Sequence, residues 1–457
     1  MRPHFPRLGA LIVAIVAVAL PAEAAFKVQK VVSPGGIEAW LLEDHRVPIM
    51  ALNLSFRGGA ALDPEGKEGL ALMTASLMDE GAGDLTANVF QKELADDSIG
   101  FSFSADLDAF SGAIKTLTIH RDRAFQLLAL ALAKPRFDAD AVERVRDEML
   151  TSIQTDFGSP NWLARRKLME TLYPGHPYSR PTNGTIASLR AISVADLRQF
   201  ITSRVGRDQL LVTAAGDITP AELGPALDKI FAGLPAKAAP FQTPDVTAKA
   251  TGETITIPLG RPQTVIIMGE PGIKRTDPDW FAGQEVNYAL GGGGFSSRLM
   301  EDVRGAGTKR GLSYGFSSSF IPYQHSGLVL AGGSTKNATA GEVVDIVKTE
   351  FGKVHKDGIT ETELNEAKIY ISGSFPLSLT STDRLSALLM QLRVNNLGID
   401  YLDKRDAQIN AVTLADAKRI AQKLLDPAKL TTVLVGQPQG LGAAEAPPPD
   451  GAAAAVQ

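Results

Sequence analysis

One spacing constrains this chain more than any other feature: two segments 220 residues apart carry the same pattern without a gap. Ile192-Ser193-Val194-Ala195-Asp196-Leu197 resembles Val412-Thr413-Leu414-Ala415-Asp416-Ala417, and Gly216, ending a β-rich run, has its counterpart in Gly436. Each copy reads as a Ser or Thr helix N-cap, an amphipathic helix, a short turn and a buried strand, at 210–215 and 430–435. A period this long repeats a domain, not a solenoid unit. The chain is therefore expected to consist of two homologous halves.

The Pro- and Ala-rich stretch 235–244 divides them: a first half at 25–235, a linker at 236–244 and a second half at 245–439. The tail 440–457 is Ala, Pro and Gly with almost nothing to bury, and is expected to be disordered. In the first half, Met50, Leu52, Leu54 and Phe56 alternate as in a strand with one buried face, Phe101, Phe103 and Ala105 repeat the signal, and 115–120 adds a further strand. Helices are expected at 69–79, 86–96, 122–133, 139–155, 161–172 and 193–203. The second half offers strands at 264–268, 312–320 and 328–332, with helices at 279–290, 338–351, 360–370 and 415–425. Adjacent strands followed by runs of helices give an α+β class: two α/β sandwich domains, each a mostly antiparallel sheet covered by helices.

The first residues stand apart from this pattern. Arg2 and Arg7 precede an apolar run at 8–20, and Ala22-Glu23-Ala24 is a small-x-small cleavage site. Residues 1–24 read as a secretory signal peptide, since the run falls short of the ~20 residues that span a bilayer. The mature chain is expected in a bacterial periplasm, with no membrane association after cleavage. A net charge of -5 and the lack of any long basic run give no field for nucleic acid. With no cysteine, thiolate metal sites, disulfides and cysteine nucleophiles are excluded.

Several segments together resemble a known family. Gly69-Leu70-Ala71, Phe137-Asp138-Ala139-Asp140-Ala141-Val142-Glu143-Arg144, Gly175-His176-Pro177-Tyr178, and Ser297-Arg298-Leu299 followed by Arg310-Gly311-Leu312-Ser313-Tyr314 are similar to the pitrilysin, insulysin and mitochondrial processing peptidase family. In that family H-x-x-E-H follows Gly-Leu-Ala directly. Two histidines one helical turn apart hold zinc, the glutamate activates water, and a later glutamate completes the site. The corresponding positions here are Leu72, Met73, Thr74, Ala75 and Ser76, and the later ligand falls by spacing on Ser152, with Glu148 one turn earlier. No zinc site can be built from Leu, Ala and Ser, and no two of the six histidines lie within a helical turn of each other. The segment 70–78 then reads as an apolar helix face packed on a sheet.

The resemblance implies one further pair of residues. Family members carry an arginine and a tyrosine, in a pattern like R-E-K-R-G-L-A-Y, that hydrogen-bond substrate near the scissile carbonyl. These positions fall on Arg304 and Tyr314, with Gly305-Ala306-Gly307 inserted between them and Arg310 the alternative for the arginine. Gly292 and Gly293, in the run 291–294, allow close backbone approach, which suits either a peptide or a tight helix end. Read as structure alone, Arg304 ends an amphipathic helix and Tyr314 sits on a strand. The pattern of losses implies the zinc-less subunit of a two-chain metallopeptidase: no cofactor in this chain, and zinc in a paralogous partner carrying H-x-x-E-H. A different class, an inert peptide-binding or scaffold protein of the same fold, is the alternative.

Overall fold

The computed structural model describes residues 27–305, 311–439 and 441. The segment 1–24 expected to be a signal peptide, Arg310, Ala306 and Gly307 of the expected insertion, and all of the expected tail except Leu441 lie outside the described residues. Leu441 packs against the core of the second half.

The first half contributes strands β1 (Val28–Val32), β2 (Glu38–Glu43) and β3 (Ile49–Arg57), helix α1 (Leu70–Ser76), a short β4–β5 hairpin (Gly81–Ala82, Leu85–Thr86) and α2 (Ala87–Asp96). The antiparallel pair β6 (Gly100–Ala105) and β7 (Ala109–Leu117) follows, then α3 (Arg121–Ala133), α4 (Ala139–Asp156), α5 (Pro160–Leu172), α6 (Ile186–Ala191), α7 (Val194–Arg204), β8 (Leu210–Gly216) and α8 (Pro220–Phe231). The second half contains β9 (Thr254–Pro258), β10 (Gln263–Pro271), α9 (Trp280–Asn287), α10 (Arg298–Arg304), β11 (Phe316–Pro322) and β12 (Gly327–Lys336). It continues with α11 (Ala340–Asp357), α12 (Glu361–Ser374), α13 (Thr382–Val394), α14 (Tyr401–Ala411), α15 (Leu414–Leu424) and β13 (Thr431–Gly436).

The two large sheets repeat one topology. Their strand orders are β6-β7-β3-β8-β2-β1 and β11-β12-β10-β13-β9, mostly antiparallel, with a parallel pair at β2/β8 and again at β9/β13. The duplicated segments behave alike in detail. Ser193 and Asp196 form a capping box at the start of α7, and Thr413 and Asp416 form the same box at α15. Gly216 and Gly436 end their strands at φ +101 and +152, backbone that glycine adopts without strain.

Each sheet is buried on both faces, and the two covers come from different halves. Met50, Leu52, Leu54 and Phe56 of β3 face a core built with α1, α3, α4, α7 and α8. The opposite face, at Trp40, Leu42 and Ala215, is covered by Leu385, Leu389 and Leu392 of α13, a helix of the second half. Reciprocally, Ile266 and Met268 of β10 face their own helices, while Val265, Val433 and Val435 pack against Leu163, Leu168 and Leu172 of α5, from the first half. Polar contacts fix both exchanges. Thr213 Oγ donates to the Ser386 carbonyl at 2.9 Å, Arg393 donates to the Val212 and Glu38 carbonyls at 2.7 and 2.9 Å, and Lys249 N donates to Leu172 O at 2.7 Å. Gly269 lets α5 lie close on β10, since a Cβ there would stand 3.0 Å from both Leu168 and Leu172.

Two expected strands are placed differently. The strand expected at 115–120 ends at Leu117, and Thr118–His120 is a 3-10 turn whose Thr118 hydroxyl donates to Asp217 at 2.6 Å. The strand expected at 312–320 begins only at Phe316. The Leu312 carbonyl accepts from Thr335 Oγ at 2.5 Å, and Ser313 Oγ donates to the Ser334 carbonyl at 2.6 Å, so side chains replace the ladder there and Tyr314 lies off the strand. The helix expected at 279–290 is α9 closed by a π turn at Tyr288–Gly292. Residues 236–244 carry no helix or strand, and are held by Ala238 N donating to Asp208, Ala239 N to the Ser203 carbonyl, and His176 Nε2 to the Pro244 carbonyl.

Candidate functional site

The helix at the zinc-motif positions is well made but chemically empty. Gly69 starts α1 at φ +92, and the buried Asp63 carboxylate accepts from Gly69 N at 3.1 Å and Ala71 N at 3.2 Å. Arg204 pairs with the same carboxylate at 3.3 Å. Burial pushes the Asp63 carboxyl up to about 6 against the pull of Arg204 and both amides. Met73, Thr74 and Ala75 are buried, Leu72 is half-buried and Ser76 is exposed. On α4, Ser152 is exposed, and Glu148 is paired with Arg144 at 3.0 Å. Leu, Ala and Ser offer no imidazole or carboxylate, so these residues do not fit a zinc ion. Among the described residues there is no group of three or more His, Asp or Glu side chains that could hold a metal.

Arg304 and Tyr314 are brought to one corner of the second half by α10 and the segment leading into β11. Gly305 ends α10 in the left-handed region at φ +71, and Leu312 N returns to the Val303 carbonyl at 3.2 Å. A Cβ on Gly315 would stand 3.2 Å from Met300 of α10, so the segment carrying Tyr314 runs along that helix. Tyr314 is 94% exposed, with its flanking backbone fixed by Ser313 and Thr335. Arg304 is also exposed, its guanidinium 4.9 Å from the centre of the Phe295 ring. The glycine run closes the helix before it. Gly291 abuts β11, where a Cβ would stand 2.5 Å from Ser318 Oγ, and Gly293 N donates to the Tyr288 carbonyl at 2.9 Å. Gly292 is exposed but backs onto Asn287, and Gly293 backs onto the Tyr288 ring.

Sequence reasoning missed a concavity between the halves. A cavity of about 1000 Å³ lies between the halves and is walled by both exchanged helices, with Trp162, Arg165 and Met169 from α5 and Met390 and Gln391 from α13. Asp106 and Asp108, from the β6–β7 turn, Trp280 and Gln284 of α9, and Tyr323 beyond β11 complete much of the lining. The turns here are cross-tied between halves. Tyr178 donates to Asp108 at 2.6 Å, Gln324 N donates to the other Asp108 oxygen at 3.1 Å, and His325 N donates to the Tyr178 hydroxyl at 3.1 Å. Burial and the Asp108 charge raise the Tyr178 pKa, keeping the phenol protonated. His176, a buried turn residue, accepts from Tyr178 N at its Nδ1, so Nε2 carries the proton given to Pro244 O. Burial lowers its pKa and holds it neutral.

Two duplicated sheets with exchanged helices, and a motif helix stripped of every zinc ligand, define a peptidase fold without its metal centre. Residues 191–370 match the model described as "Peptidase M16 inactive domain". The crystal structure of a peptidase M16 inactive domain from Pseudomonas fluorescens superposes with a TM-score of 0.84 at 28% identity, covering 92% of this chain and all of that one. The "Non-peptidase homolog YmxG" of Helicobacter pylori is 28% identical over 344 residues, 73% of this chain and 77% of the relative. An "Uncharacterized zinc protease YmxG" of Bacillus subtilis is 26% identical over 321 residues, 68% of this chain and 74% of the relative. Residues 191–370 are thus similar to the M16 inactive domain, and over most of its length the chain is similar to M16-type proteins while lacking the zinc ligands.

Proposed function

We propose that this chain is the non-zinc-binding subunit of a periplasmic two-chain metallopeptidase. It binds and orients peptide and presents Tyr314, with Arg304 beside it, to the scissile carbonyl at the zinc centre of a paralogous partner carrying H-x-x-E-H. In this reading the chain takes no cofactor of its own. The observation that carries the proposal is the display of Tyr314: a phenol left 94% exposed on a segment whose neighbours are fixed by side-chain hydrogen bonds. An exposed aromatic held this way contributes little to its own fold and suits a group that meets another molecule. Its hydroxyl would donate to the oxyanion that develops as the peptide carbonyl is attacked, and the Arg304 guanidinium would add positive charge there.

The test is reconstitution with the H-x-x-E-H chain. Tyr314→Phe should leave the complex assembled and the melting temperature unchanged while lowering kcat by ~10² to 10³, with a smaller change in KM. Full activity in Tyr314→Phe and in an Arg304, Arg310 double alanine variant would reject the catalytic role. One observation favours the inert-scaffold reading: Arg304 is already engaged by the Phe295 ring. Phe295→Ala separates the two, since it should free the guanidinium and alter activity only if Arg304 acts on substrate.

A further inference from the structure

The charge of the cavity between the halves runs against the charge of the chain. Four arginines, Arg165, Arg166, Arg180 and Arg275, line it against two aspartates, Asp106 and Asp108, while the chain as a whole carries -5. Three of those arginines are held by neutral groups. Arg180 donates to the Asp63 and Ala61 carbonyls at 2.8 Å each, and the Arg165 charge stands near the Tyr323 hydroxyl. Arg275 donates to the Tyr401 hydroxyl and lies 4.6 Å from the Trp280 ring centre, 5.1 Å from that of Tyr401 and 5.7 Å from that of Phe281. Arg166, paired with Glu170 at 2.8 Å, adds little net field.

The aspartates, too, are held by neutral groups. Asp106 accepts from Asp108 N at 2.8 Å and Ala109 N at 2.7 Å, and burial, with the Asp108 charge beside it, pushes its carboxyl upward. Asp108 is turned into the Tyr178 and Gln324 bonds that tie the halves together. Among the described residues Arg165, Arg180 and Arg275 have no carboxylate partner, so with Arg166 offset by Glu170 the lining sets three guanidinium charges against two carboxyls, one of which burial pushes upward. A concave, partly apolar wall focuses such a field on whatever enters.

We propose that this cavity is a peptide-binding subsite, apart from the corner that carries Arg304 and Tyr314, and that it selects acidic peptide segments. The inference rests on the peptide-binding reading above and names the class of peptide. Its volume, about 1000 Å³, stands at the upper end of the ~300–1000 Å³ of small-molecule sites, and its open walls suit several residues of extended chain better than one compact metabolite. Trp162, Met169, Trp280 and Met390 supply apolar contact between the charges. Carboxylates along the peptide meet Arg165 and Arg275, which as guanidinium groups take them in bidentate geometry.

The intact mature chain provides its own probe, because Trp162 and Trp280 line the cavity and Trp40 does not. Three synthetic octapeptides of equal length, glutamate-rich, uncharged and lysine-rich, are titrated while tryptophan emission is followed. The glutamate-rich peptide should bind at least tenfold tighter than the lysine-rich one at 0.1 M NaCl. That preference should shrink at 1 M, where the screening length falls from about 10 to about 3 Å. Arg165→Glu, on an exposed side chain, should weaken the acidic peptide severalfold with an unchanged melting temperature. The emission change should vanish in a Trp162→Phe, Trp280→Phe variant and persist in Trp40→Phe. Equal affinity for all three peptides overturns the acidic preference and leaves peptide binding standing. A preference for the lysine-rich peptide overturns it likewise, and binding of none overturns both.

Discussion

At the scale of single residues, the molecule spends its buried charge on holding shape. Asp63 is the clearest case, since one carboxylate caps α1, ties it to Arg204 of α7 and is almost fully enclosed. Asp63→Ala should cost ~3 to 5 kcal/mol, because Arg204 and two amides lose their acceptor together. Chemical denaturation at neutral pH checks this. Two other acids are buried with oxygens that no described group satisfies: Glu270 on β10 and Glu285 on α9. Burial pushes them up to about 9 and about 8, respectively. Both folded values exceed the unfolded carboxyl range, so the native state holds more protons between about pH 4.5 and 9. Their contribution to stability is therefore greatest on the acidic side and is lost as pH rises through the folded values. The melting temperature should fall from pH 5 to pH 9, and a Glu270→Gln, Glu285→Gln variant should fall less steeply, with its largest gain over the parent at pH 9. Parallel slopes in the two proteins would refute this assignment.

At the scale of elements, the exchanged helices decide how the halves part. Residues 239–242 of the linker are exposed and free of helix or strand, so limited proteolysis should cut there. The cut halves should nevertheless migrate together on size exclusion until denaturant is added, because Leu385 and Leu389 remain under the first sheet and Leu168 and Leu172 under the second. Early separation of the fragments without denaturant would show the exchange to be weak. The sequence carried the elements unevenly. The two capping boxes, the alternation in β3 and the strands 210–215 and 430–435 were legible because local chemistry sets them. The end of β7 and the start of β11 were not, because the apparent strand pattern runs on through 118–120 and 312–315, where Thr118 bonds the Asp217 carboxylate and the side chains of Ser313 and Thr335 take over backbone groups. The helix α13 was missed, and no pattern could have said which sheet α5 or α13 covers, since periodicity marks an apolar face and not its partner.

At the scale of the whole molecule, the repeat and the empty motif were readable, and the cavity was not. The duplication predicts two sheets of one topology, which the strand orders reproduce. The loss of the zinc ligands followed from the identities at 72, 75, 76 and 152, which need no coordinates. The cavity depends on where α5 and α13 end up after crossing over, and on a Tyr178–Asp108–Gln324 tie among residues as far apart as 108 and 324. Among the sites the sequence pointed to, the fold brings Arg304 and Tyr314 to one corner and turns Gly292 and Gly293 back onto the helix end that precedes them.

The crossing of α5 and α13 also imposes an order on the birth of the molecule. The first sheet has all its strands once residue 216 has been made, yet Trp40 and Leu42 wait for a lid that arrives only with 382–394. Until then a nascent chain carries a nearly finished sheet with one greasy side open to water, and α5 hangs beside it with no sheet to cover. Contacts spanning so much sequence close late and slowly. For that interval the half-made protein is a natural client for whatever holds unfinished chains apart.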